Sequence, residues 1–197
     1  MYTIEVVDMV VLQQPEILQR IESPFCTGEW LSFLQNNQGG DPVVLKLISD
    51  GKCKAYFVGV IVKKAGMKIL GSPFDGWLTP DMGFIRLDDI DINIAIESIR
   101  MYAFSKLNCS FVQIIDKNIS FDQVHHNKAI IEMTRVLHID NQRSQEDVLS
   151  DFSKNGRRDV RASYRKGLTF RQMAFDRYFA DIYYDQLIDV FEKKEGK

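Results

Sequence analysis

The sequence predicts an α/β (α+β) domain, a mixed and mainly antiparallel sheet flanked by helices. Three observations predict it. Strand-like runs at residues 43–49, 54–63 and 67–70 are joined by Asp50-Gly51 and Ala65-Gly66, two-residue turns that suit antiparallel hairpins. Helix-period patterns precede and follow these runs, as in a sheet with helices on its faces. The composition, 45% hydrophobic and 26% charged over 197 residues, is that of a folded domain and not of a disordered chain.

Residues 2–7 read as an opening strand. Residues 15–34 carry a helical pattern that Ser23-Pro24 breaks, with Thr27 as N-cap of a second segment holding Trp30, Leu31 and Leu34. Residues 36–42 are a loop by composition, and residues 84–87 a fourth strand. Asp91 caps a helix in which Ile92, Ile96, Ile99 and Ala103 share one face. The apolar run 111–115 predicts a strand covered on both sides, at the centre of the sheet. Ser120 to Gln123 has capping-box spacing for a short helix, and residues 134–139 read as a strand. Ser144 starts a helix expected to pause at Asn155-Gly156, resume through Tyr164 and stop at Gly167. Residues 168–173 read as a strand and 179–191 as a last helix.

The formal charge of −2 gives no global attraction to nucleic acid or anionic membrane. Cys26, Cys53 and Cys109 are odd in number and never form a Cys-x-x-Cys pair, so buried free thiols in a reducing compartment are expected. The longest apolar run, residues 56–62, is interrupted by Gly59 and closed by Lys63-Lys64, too short to cross a bilayer. The start lacks a signal-peptide pattern. The cytoplasm is the default location.

Charge is local. Residues 152–171 hold seven basic residues and one acid, a net +6, which leaves −8 for the rest. Arg157, Arg161 and Arg165 recur every four residues, with Arg158 beside them, so a helix sets them in a row able to grip phosphate or carboxylate. The plainer alternative is a solvated face whose arginines pair with Asp147 and Asp151. A second candidate is the loop 71–84, with three glycines, two prolines and three large aromatics. Trp77, flanked by Asp75 and Asp81, suits stacking on a sugar ring whose hydroxyls the carboxylates accept. Alternatively, Phe74 and Trp77 fold back over the core. His125, His126 and His138 read as structural or surface residues, and no metal motif, nucleophile elbow or Walker loop is present.

The stretch Lys-Asn-Gly-Arg-Arg-Asp-Val-Arg-Ala-Ser-Tyr-Arg-Lys-Gly-Leu-Thr-Phe, with Ser-Gln-Glu-Asp-Val-Leu before it, resembles the segment between the two halves of FemAB-like and CelD-like members of the GNAT acyltransferase superfamily. Glu-Trp-Leu-Ser-Phe-Leu and Ile-Leu-Gly-Ser-Pro-Phe are similar to the same group. The resemblance implies a GNAT-like domain over residues 1–143, a basic linker helix over 144–167, and the start of a second GNAT-like domain at 168–197 that continues past Lys197. It implies N- or O-transfer of an acetyl or aminoacyl group to an amine or hydroxyl, on a sugar or cell-envelope precursor in polysaccharide metabolism. It also implies acetyl-CoA or another acyl donor, whose site lies either in a second half beyond this chain or at the row Arg157, Arg158, Arg161 and Arg165; Asp75, Trp77 and Asp81 are the candidates here to face the acceptor. No catalytic residue can be named beyond Asp75 and Asp81 as candidate bases. One departure stands out: the pyrophosphate loop Gln/Arg-x-x-Gly-x-Gly/Ala of that superfamily is absent. The alternative is therefore a non-catalytic acceptor-binding or protein-interaction module. The acidic remainder disfavours nucleic acid as a partner, and a homodimer stays open.

Overall fold

Asp50, Gly51, Ala65 and Gly66 have φ of 52°, 71°, 50° and 79°, the left-handed values that turn a chain back within two residues. They join β2 (Asp41–Ser49), β3 (Lys52–Lys64) and β4 (Met67–Ser72) as consecutive antiparallel hairpins. β1 (Thr3–Val7) lies antiparallel on β2, and β6 (Phe111–Ile114) parallel on β4. The order is β1-β2-β3-β4-β6, with β5 (Gly83–Arg86) also on β3. The computed structural model describes residues 1–74, 76–124, 130–131, 142–169, 171–174 and 176–195. It divides into two units, Met1–Val136 and Leu137–Lys197.

β3 serves two partners along one edge. β4 takes Val60 to Lys64 and β5 takes Ala55 to Val58. Gly71 lies opposite Val60 and Gly83 opposite Val58, so the intervening loop leaves the sheet and returns to nearly the same place. Alternation along β2 and β3 builds two cores. Val43, Leu45, Leu47, Ala55 and Phe57 face α3 (Ile92–Ser105), whose Ile92, Ala95, Ile99 and Ala103 are buried against them. Val44, Tyr56, Val58 and Val60 face the front segment. That segment holds a 3-10 turn (Met9–Gln13), α1 (Pro15–Leu18), a second 3-10 turn (Pro24–Cys26) and α2 (Gly28–Gln38). Thr27 caps α2 by accepting from the Trp30 amide, and Leu31 and Leu34 are fully buried. Burial of each such side chain contributes about 1.5–3 kcal/mol.

The fold class is the expected one, and several elements differ. The run 111–115 is less covered than expected: among the described residues β6 pairs with β4, and its residues are half-buried or exposed. Burial on both faces belongs to β2 and β3. The expected loop 36–42 shrinks to two glycines, because α2 runs to Gln38 and Gly39, at φ 66°, ends it just before β2. The strand expected at 134–139 and all three histidines lie outside the described residues.

In the second unit, Ser144 caps α4 (Gln145–Ser150) and Ser153 caps α5 (Lys154–Arg165). The break therefore falls at Asp151–Ser153 and not at Asn155-Gly156, because the Ser153 hydroxyl claims the Gly156 amide and starts a new helix there. Gly167, at φ 70°, ends the helix as expected. The described residues of 168–173 form no strand, and Leu168 is 58% exposed. α6 (Arg177–Glu195) is the expected last helix.

Candidate functional site

β6 follows β4 as far as Ile114, and the Ile115 amide still donates to the Ser72 carbonyl. Beyond it the strands part. Among the described residues no backbone ladder joins β5 to β6. One backbone bond still crosses, from the Met82 amide to the Ile115 carbonyl at 3.0 Å, and a side chain bridges the gap beyond it: the Asp116 carboxylate accepts from the Phe84 amide at 2.9 Å and from the Asn118 amide at 2.8 Å. Gly83 makes room for it, since a Cβ there would lie 2.3 Å from Asp116 Oδ2.

At this split lies a cleft of about 450 Å³. The front segment contributes Gln19, Arg20, Glu22, Ser23 and Cys26. The sheet side contributes Asp81, Met82, Phe84, Ile85, Arg86 and Asn118. The lining is mostly polar. Asn118 Nδ2 donates to Glu22 at 3.0 Å, and Arg86 Nη2 donates to the Asn118 carbonyl at 3.2 Å. Asp81 lies 3.9 Å from Lys117 Nζ. The Cys26 thiol is pushed up to about 12, first by burial and then by Asp116 and Asp81, so it stays protonated and inert.

Burial raises the Asp116 pKa, against the pull of its two amide donors and Arg86. Its folded value thus exceeds its unfolded one, so the native state holds the proton more tightly and stability falls as pH rises from about 4 through the folded pKa. Asp116→Asn removes this slope. The stability of wild type minus that of Asp116→Asn is expected to fall as pH rises through that window, as thermal melts across pH would record. A difference that rises would contradict the burial argument.

The loop after Ser72 is fastened to the first unit. Phe74 and Trp77 pack edge to face at 4.9 Å, and Trp30 Nε1 donates to Thr79 at 3.0 Å. Both loop aromatics lie against the front core, so Trp77 is half-buried and not presented as an open stacking platform. Asp81 does line the cleft, while Asp75 lies outside the described residues. On α5, Arg157 donates to the Ser150 and Phe152 carbonyls, closing the end of α4, and Arg158 pairs with Asp159. Arg143, not the α5 row, takes Asp151. Arg161 and Arg165 are exposed and take no partner among the described residues.

A donor's pyrophosphate needs free amides at a helix start. The strand-to-helix turn of the first unit, residues 87–91, does not fit one. Asp91 accepts from both the Asn93 and Ile94 amides at 3.0 Å, Asp88 pairs with Lys54, and Asp89 adds a third carboxylate. Among the described residues no group of three His, Cys, Asp or Glu side chains could hold a metal, and no helix is long and apolar enough to cross a membrane.

Arg20, Arg86, Asp116 and Asn118 escaped the sequence reading. The available signal was position: Asp116 and Asn118 follow directly on the apolar run 111–115, at the carboxyl end of a strand, where open sheets gather ligands. Arg86 ends the otherwise apolar β5.

Fold and cleft define a split-sheet α/β unit with a polar mouth. No family model and no curated protein sequence matches the chain. Two solved structures are similar to it in part. One is a GNAT family acetyltransferase from Staphylococcus aureus, with 8% identity and a TM-score of 0.38, covering 68% of this chain and 98% of that one. The other is a glucosamine-6-phosphate N-acetyltransferase from Arabidopsis thaliana, with 15% identity and a TM-score of 0.36, covering 70% of this chain and 99% of that one. Both scores lie below the level at which two folds are equated.

Proposed function

We propose that the chain belongs to an acyltransferase of the FemAB/CelD-like kind and that its first unit is the acceptor side. The cleft at the split between β5 and β6 carries this reading. It is large enough for a compound of sugar size, and its mixed carboxylate, amide and guanidinium lining matches an amine or hydroxyl acceptor such as a sugar or cell-envelope precursor. Asp81 is the carboxylate in it that would receive an acceptor hydrogen. The unit's contribution to transfer would be binding and orientation, holding the acceptor at one place and excluding bulk water. The acid-rich turn at residues 87–91 favours a second form of the reading, in which this unit binds acceptor without holding the donor.

The test is amide chemical-shift mapping on the full chain. Glucosamine and glucose are expected to move the signals of Ser23, Phe84 and Asn118 while leaving those of Asn93 and Ile94 in place. If neither sugar moves any cleft signal, the acceptor reading fails.

A further inference from the structure

We propose that the cleft takes an acceptor that is itself an anion, a small compound whose phosphate or carboxylate is held by Arg86 and Arg20 while its amine or hydroxyl faces Asp81. This rests on the acceptor reading above and narrows it.

The pairing of charges inside the cleft leads there. Its two acids are matched: Glu22 accepts from Asn118, and Asp81 has Lys117. Its guanidinium groups are not. Among the described residues Arg86 makes a single bond, from Nη2 to the Asn118 carbonyl, and its buried Nε has no partner. Leaving a buried donor unpaired is unfavourable, and an arriving anion relieves it. Arg20 is exposed on the opposite wall and takes no partner among the described residues. The cleft is therefore left with spare donors in the fork geometry that two oxygens of one phosphate or carboxylate match.

Calorimetry on the full chain with four probes tests this: glucose 6-phosphate, glucuronate, glucose and inorganic phosphate. At least one anionic sugar is expected to bind about tenfold tighter than glucose, the worth of one charge-assisted bond pair. Preference between glucose 6-phosphate and glucuronate then tells phosphate from carboxylate. Arg86→Gln and Arg20→Ala are each expected to reduce that affinity about five- to tenfold, a larger loss than either causes for glucose. Arg20 is exposed, so its variant keeps the fold even where Arg86→Gln does not. Glucose matching both anionic sugars, or Arg20→Ala binding them as wild type does, overturns the anion proposal and leaves the acceptor reading standing. Inorganic phosphate binding as tightly as glucose 6-phosphate also overturns it, because the cleft would then read the anion alone. Silence from all four probes sinks both.

Discussion

Gly83→Ala is expected to destabilise the first unit by about 3–5 kcal/mol, among the largest losses from any single methyl in this chain, and to lower its melting temperature by roughly 10 °C. Two separate costs meet at this residue. Its φ of 101° is a backbone conformation that a Cβ makes unfavourable. The new Cβ would also fall 2.3 Å from Asp116 Oδ2 and 2.6 Å from its Cγ, in a place where the carboxylate cannot swing away without releasing the Phe84 amide. Gly76→Ala separates the two. Its φ is 80°, yet nothing lies within 4 Å of the added atom, so only the conformational cost of about 1–2 kcal/mol should appear. The double variant Gly83→Ala with Asp116→Gly should cost less than the sum of its parts by about 1–3 kcal/mol, because every Asp116 atom that the added methyl would meet, its Cβ at 2.6 Å included, is then gone. Strict additivity in urea melts would mean that Asp116 does not occupy the space beside Gly83.

That pair also marks where sequence reading stops. The hairpins were legible because Asp50-Gly51 and Ala65-Gly66 act on their immediate neighbours, and α3 because its apolar spacing is a property of one segment. Thr27 and Ser144 were legible as caps for the same reason. The place of β6 was not. Four apolar residues split by Gln113 look alike whether a strand is covered on both faces or left half-exposed, and only packing tells them apart. The cleft was legible in one residue, Asp81. Its remaining residues come from positions 19–26, 82–86 and 118, brought together by the return of the chain to β3 at Gly83. Arg86, read alone, is an unremarkable charge closing a strand. It gains meaning from an unpaired buried nitrogen, which no pattern of letters reports.

Acetyl-CoA added to the full chain is expected to leave the Asn93 and Ile94 amides unmoved, and any affinity it has should fall at least tenfold in the double variant Arg161→Ala with Arg165→Ala. The first half follows from electrostatics at α3. A phosphate charge about 7 Å from an unpaired carboxylate is repelled by roughly 0.6 kcal/mol in water and 2.4 kcal/mol at an effective dielectric constant of 20. Asp89 and Asp91 both stand at that turn, and the Asp91 carboxylate already holds the two amides an incoming phosphate would need. The repulsion and the lost amides add, so pyrophosphate is driven off. The second half follows from subtraction on α5. Arg157 is spent on the Ser150 and Phe152 carbonyls and Arg158 on Asp159, leaving Arg161 and Arg165 as exposed guanidinium groups without a partner among the described residues. They are four residues apart, hence neighbours on one helical face about 6 Å apart along the axis, a span that two linked phosphates can bridge. Losing two charge-assisted contacts at an exposed face accounts for the tenfold drop. An affinity unchanged by the double variant removes α5 as the donor grip, and the chain is then an acceptor-binding module alone. A shift at Asn93 or Ile94 would overturn the argument at its root, since phosphate would be sitting where three carboxylates should exclude it.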